Sequence, residues 1–153
     1  MVSIKVILAS LFVSISVVNI NAQGDPVSWS FSTKKISDKT YEVHFTATIQ
    51  SSWHLYSQVQ PEDAIAIPTG FKINGNPMLT MEGKMKEDGK MEKFHDEKLQ
   101  LSAHQYSGLV DFIQVVKLKA NVKTNLTGSV EYQTCDDKKC LPPKAITFTI
   151  PIN

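Results

Sequence analysis

The sequence contains no arginine, so all 16 of its basic residues are lysines. The sequence also has 15 acidic residues, so the formal net charge is +1 at pH 7. Proteins that read nucleic acids usually carry a basic excess and use guanidinium groups to contact bases. The composition therefore disfavours nucleic-acid binding.

Long apolar runs are also scarce. Residues 6–18 form one that is broken only by serines, with Lys5 before it and Ala22 after it. A charged start, an apolar run of about a dozen residues and a small residue before a cleavage point are typical of a secretory signal peptide. A spanning helix needs ~20 apolar residues. We therefore predict a cleaved signal peptide over residues 1–22, and an exported or periplasmic mature chain without a membrane span.

No stretch carries a 3.6-residue apolar period over ten positions, whereas period-two alternation recurs. Val27, Trp29 and Phe31 alternate with serines, and the segments 41–49 and 146–152 are apolar at every second position. Such alternation predicts half-buried strands. Many short strands separated by turn signals indicate an all-β antiparallel sandwich, here a single domain over residues 23–153.

Residues 78–93 break this pattern because they are rich in Met, Lys, Glu and Gly. We interpret them as a strand followed by a mobile loop around residues 87–90. A second polar stretch, residues 104–108, is predicted to be a turn.

Cys135 and Cys140 are the two cysteines of the chain, with four residues between them. In an exported protein such a pair favours a disulfide. A ring this small would stabilise the fold by only ~2 kcal/mol, and small rings are easier to reduce when they are strained. A structural and a reactive disulfide both remain open on these grounds.

The charges between the cysteines differ from one end to the other. Lys138 and Lys139 precede Cys140 and favour a thiolate there, whereas Asp136 and Asp137 follow Cys135 and disfavour one. Unlike thiolate tendencies suit a division into an attacking and a resolving cysteine.

The stretch 132–143, Tyr-Gln-Thr-Cys-Asp-Asp-Lys-Lys-Cys-Leu-Pro-Pro, closely resembles the amino-terminal exported domain of the thiol:disulfide interchange protein DsbD. The aromatic segment 53–58, Trp-His-Leu-Tyr-Ser-Gln, resembles a second part of that family. The resemblance covers nearly all of the mature chain, although only the cysteine motif is specific. It implies an immunoglobulin-like sandwich.

The resemblance also implies a function as a thiol-disulfide oxidoreductase, the protein-disulfide reductase component of an exported electron-transfer chain. Such domains take electrons from a membrane-embedded thiol reductase and reduce thioredoxin-like exported proteins, without a cofactor or metal. Cys140 inherits the role of forming the mixed disulfide, and Cys135 that of resolving it. We expect a monomer.

A mobile loop covers the cysteines in that family, and residues 83–94 are the candidate here. They have no aromatic residue at their centre, so Met85, Met91 or Phe94 would have to shield the pair. His54 and Tyr56 are candidates for lining the cysteine pocket. The cysteine spacing is four residues where five is common. The membrane core and the terminal thioredoxin-like domain are absent, so the reductant is expected to be a separate protein.

Two alternatives compete with this function. One is a redox-inert sandwich that binds a partner and uses the disulfide to hold a turn. The other is periplasmic copper handling, because soft thioether ligands suit Cu(I). The candidate ligands for copper are Met78, Met81, Met85, Met91 and His95. No pair among the four histidines has the spacing of a zinc site.

Overall fold

A computed structural model describes residues 24–153, so the predicted signal peptide lies outside the described part of the chain. This part folds into nine strands: β1 (Val27–Ser37), β2 (Thr40–Ile49), β3 (His54–Tyr56), β4 (Gly70–Ile73), β5 (Leu79–Asp96), β6 (Leu101–Leu118), β7 (Thr124–Tyr132), β8 (Thr134–Cys135) and β9 (Lys144–Ile152). Within residues 24–153 there is no helix long and apolar enough for a membrane crossing.

The strands form two antiparallel sheets. The larger sheet has the order β1-β2-β6-β3-β8, and β5 pairs with the other edge of β6. The smaller sheet has the order β4-β7-β9. Strand β6 is long enough to pair with β2 along its second half and with β3 near its start. The predicted all-β antiparallel architecture is confirmed.

The core lies between the sheets and follows the alternation seen in the sequence. Val43 and Phe45 on β2 and Val130 on β7 are fully buried. Aromatic side chains join the sheets, since the ring centroid of Phe45 lies 5.0 Å from those of both Phe71 and Phe148. Such edge-to-face contacts add to the free energy gained by burial.

The predicted loop over residues 83–94 is wrong. These residues belong to β5, which pairs with β6 from Leu79 to Asp96. The segment looked like a loop because β5 is an edge strand and most of its side chains are exposed. Charged side chains, lysines above all, are common on such edges because they discourage pairing with other chains. Gly83, at φ 69°, accompanies a break in the pairing register.

The predicted turn over residues 104–108 is also wrong, because β6 runs through it. Gly108 adopts φ 75°, a conformation that glycine accepts without a steric penalty. It lies between the part of β6 that pairs with β3 and the part that pairs with β2. The irregularity therefore lets one strand serve two neighbours.

Candidate functional site

The disulfide lies at the end of the larger sheet. Strand β8 pairs with β3, which places Cys135 opposite His54. After Cys135 the chain turns back on itself, since the N–H of Asp136 donates to the carbonyl of Lys139 and the N–H of Leu141 donates to that of Thr134. The sequence between the cysteines is thus a tight turn on the edge of the sheet.

Asp136 stabilises this turn. Its Oδ1 accepts hydrogen bonds from the backbone N–H groups of Lys138 and Lys139, each at 2.8 Å. These bonds favour the carboxylate and lower the pKa of Asp136, with smaller contributions from the two lysine charges. The turn is therefore held by a negatively charged cap at neutral pH.

Cys135 and Cys140 form a disulfide, with their Cα atoms 4.0 Å apart. Their environments differ: Cys135 is 5% exposed, whereas Cys140 is an exposed residue. The disulfide is therefore accessible to solvent from the Cys140 side.

A cavity of about 620 Å³ opens beside the disulfide. Its walls combine apolar side chains with a few polar groups, the usual composition of a ligand site. The lining residues are His54, Tyr56, Ile65, Ala66, Phe94, Leu101, Ser102, Ala103, Gln105, Gln133, Cys135, Asp136, Asp137 and Cys140.

Strand register explains why these side chains meet. Residues directly opposite each other in an antiparallel pair lie on the same face of the sheet. Cys135 is opposite His54, Tyr56 is opposite Gln105, and Ala103 is opposite Phe94. The alternate residues, Leu55 and Tyr106, point into the core instead. One face of the sheet end therefore forms the wall of the cavity.

The structure brings together some of the predicted pocket and cover residues. His54, Tyr56 and Phe94 line the cavity with the cysteines. Met85 packs against the hydrophobic core, and Met91 is exposed and is not among the lining residues. Of the three proposed shielding side chains, Phe94 is thus the one that lines the cavity beside the disulfide.

His54 connects three elements around the disulfide. Its Nδ1 lies 3.0 Å from Oγ of Ser107 on β6, and its Nε2 lies 3.8 Å from Oδ1 of Asp137 in the turn. The ring therefore bridges the sheet and the turn that carries Cys140.

Several lining residues were not predicted from the sequence. Ile65 and Ala66 lie in the irregular segment between β3 and β4, and Gln105 lies in a stretch interpreted as a turn. The strand alternation in residues 101–106, once recognised, would have placed Gln105 on the face of Ala103.

A polar cluster anchors the chain behind the site. Asp25 accepts hydrogen bonds from the phenol of Tyr132, from Nζ of Lys144 and from the N–H of Val27. Burial opposes ionisation of Asp25, but these hydrogen bonds outweigh it and lower the pKa of the carboxyl. Burial, together with Asp25, raises the pKa of Tyr132. The start of β1 is thereby tied to β7 and β9.

The methionines of the copper alternative do not share one site with the thiols. Met81 and Met91 are exposed on β5, Met85 packs on the core, and His95 pairs with Ser102 at 2.9 Å. In the part of the chain that the structure describes, no group of three His, Cys, Asp or Glu side chains is arranged to hold a metal ion.

Comparison with known proteins identifies the family of this chain. The family model of the N-terminal domain of thiol:disulfide interchange protein DsbD matches residues 23–151. The chain belongs to this family. A search of curated protein sequences found no match.

Two solved structures share the fold. The reduced DsbD N-terminal domain of Neisseria meningitidis has a TM-score of 0.50 and 18% identity, over 82% of this chain and 86% of that one. The N-terminal periplasmic domain of ScsB from Proteus mirabilis has a TM-score of 0.55 and 17% identity, over 84% of this chain and 47% of that one. The immunoglobulin-like sandwich is therefore confirmed.

Proposed function

We propose that this chain is a periplasmic thiol:disulfide exchange domain that passes electrons to exported proteins through Cys135 and Cys140. The observation that supports it most is the unequal exposure of the two cysteines beside a cavity, since Cys140 is exposed and Cys135 is 5% exposed. An attacking sulfur needs access to a partner, whereas a resolving sulfur needs access only to its neighbour.

In the reduced protein, the Cys140 thiolate attacks one sulfur of the partner's disulfide. A mixed disulfide forms, and the partner's other sulfur leaves as a thiolate that takes up a proton. Cys135 then loses its proton and attacks Sγ of Cys140, which releases the partner's second thiolate. Two electrons pass to the partner, and the Cys135–Cys140 disulfide is restored.

The lysines of the turn support this assignment of roles. Lys138 and Lys139 precede Cys140, and their positive charges favour the thiolate form of the attacking group. Cys135 is buried on the sheet, where the thiol is favoured until a base removes its proton.

The electron donor is a membrane-embedded thiol reductase, the acceptors are thioredoxin-like exported proteins, and the domain acts as a monomer. Phe94, at the end of β5 and on the cavity wall, replaces the predicted loop as the group that shields the pair from small oxidants.

Trapping of mixed disulfides tests the division of roles. With Cys135→Ser, Cys140 cannot be resolved, so adducts with a thioredoxin-like protein should accumulate. With Cys140→Ser, adducts should be scarce because the remaining thiol is buried. The double variant is the control for nonspecific adducts. Equal adduct yields from the two single variants would contradict the assignment.

A further inference from the structure

The cavity beside the disulfide contains two polar groups that lack partners. Tyr56 is 7% exposed and Gln105 is 8% exposed, and both line the cavity. Neither the phenol of Tyr56 nor the side-chain amide of Gln105 forms a hydrogen bond with any residue in 24–153. Neither group is sealed from solvent, since within residues 24–153 Trp29 Nε1 is the one fully buried side-chain N or O atom without a partner. The phenol and the amide therefore face the open cavity, where an occupant can bond to them.

The two groups lie side by side. Tyr56 on β3 is directly opposite Gln105 on β6, so their side chains extend from the same face of the sheet. A phenol donates and accepts one hydrogen bond, and a carboxamide offers both donors and an acceptor. A peptide group, with one N–H and one C=O, is complementary to such a pair. Burial raises the pKa of Tyr56, which keeps its hydroxyl protonated as a donor.

The remainder of the wall is apolar. Ala66 packs against the buried cluster of Tyr56, Ala103 and Cys135, while Phe94 and Ile65 are partly or largely exposed at the cavity. An occupant therefore presents an apolar side chain together with a peptide group. Because Cys135 and Cys140 form part of the same wall, it must also lie next to the reacting sulfur.

We propose that this cavity is a substrate subsite that takes an apolar residue adjacent to the cysteine of a partner polypeptide, with its peptide group bonded to Tyr56 and Gln105. The inference rests on the proposed exchange function and names the feature that a good partner disulfide carries. It favours polypeptide disulfides with apolar neighbours over small disulfides that lack peptide groups.

Oxidation of the reduced protein by three disulfides tests the subsite. The probes are the disulfide dimers of acetyl-Leu-Cys-amide and of acetyl-Ser-Cys-amide, and hydroxyethyl disulfide, which has no peptide group. In each case the protein dithiol becomes a disulfide and one probe disulfide becomes two thiols. The leucine peptide should react about tenfold faster than the serine peptide, equivalent to about 1.4 kcal/mol.

Two variants, each with a control, test the apolar and the polar part of the subsite. Ala66→Phe fills the cavity and should abolish the leucine-over-serine ratio, whereas Ala120→Phe, remote from the cavity, should keep it. Gln105→Met should lower the ratio of the leucine peptide over hydroxyethyl disulfide by about threefold or more, since one hydrogen bond is lost. Gln50→Met, at an exposed position, is its control. Thermal unfolding establishes that each variant is folded.

The outcomes separate the two proposals. Equal rates for both peptides, or a leucine preference that survives Ala66→Phe, would overturn the subsite, while oxidation by hydroxyethyl disulfide would leave the exchange function standing. Failure of all three disulfides to oxidise the protein would overturn the proposed function itself.

Discussion

The phenol of Tyr106 donates a hydrogen bond of 2.6 Å to Glu87, joining the middle of β5 to the start of β6. The same carboxylate accepts hydrogen bonds from the hydroxyl of Ser57 and from the backbone and side chain of Gln58. Burial, followed by the bond to Glu87, raises the pKa of Tyr106 and keeps the phenol protonated. Glu87 thus fastens the strand that carries Phe94 to the segment that follows Tyr56.

Replacing this carboxylate should loosen the site end of the sandwich. Glu87→Gln puts an amide group among four donors, so at least one of them loses its acceptor. We expect the free energy of unfolding to fall by roughly 1–3 kcal/mol, the cost of leaving a buried polar group unpaired. Urea unfolding measures it. Glu82→Gln, exposed on the same strand, is the matched control, and an equal effect of both variants would contradict the anchoring role.

Phe94 is 49% exposed and lies on the cavity wall beside the disulfide. Truncation to alanine should open the approach to the cysteines, because access limits thiol reactivity as much as thiolate fraction does. The reduced Phe94→Ala variant should react a few-fold faster with iodoacetamide than the parent protein. Leu99→Ala, 67% exposed near the tip of the same hairpin, controls for a general loosening. An unchanged rate of alkylation in Phe94→Ala would contradict the shielding role.

Asp25 should make stability depend on pH in the acid range. Its pKa is lower in the folded protein than the ordinary value of 3.8, despite the opposing effect of burial. The contribution of Asp25 to the free energy of unfolding is therefore complete above pH 3.8. It disappears as the pH falls through the pKa of the folded state.

The variant Asp25→Asn isolates this contribution. At pH 7 we expect the free energy of unfolding to fall by about 1 kcal/mol. This is less than the loss of a fully buried charged hydrogen bond would cost, because Lys144 is half exposed. The difference from the parent should narrow below pH 3.8. Chemical unfolding between pH 7 and pH 2 measures it, with Asp38→Asn at an exposed turn as control. A difference that is constant with pH would refute the assignment.

The sequence predicted those parts of the fold in which one face of a strand is buried. Val43, Phe45 and Ala47 alternate with polar residues because β2 has the core on one side and solvent on the other. The second part of β5 escaped prediction because its stability comes from pairing with β6, and not from burial of its own side chains. Within β6, the inward-facing Gln114 interrupts an otherwise regular apolar pattern.

The site was predictable to a similar extent. The cysteines, His54 and Tyr56 were found because they lie within short motifs. Gln105 and Ala66 are ordinary residues that become significant only where strand register and an irregular segment bring them to the cavity. Phe94, one of the three side chains proposed to shield the pair, lies at the cavity because it is opposite Ala103 in the β5–β6 pair.

The reduction potential of the Cys135–Cys140 bond tests the central claim most directly. Cys140 is exposed and the ring between the cysteines is small, so we expect a reversible disulfide with a potential well above about −300 mV, below which structural disulfides typically lie. Equilibration in glutathione buffers followed by thiol alkylation measures the reduced fraction. A protein that titrates between dithiol and disulfide across these buffers is the predicted result. A bond that stays oxidised in all of them would contradict the account.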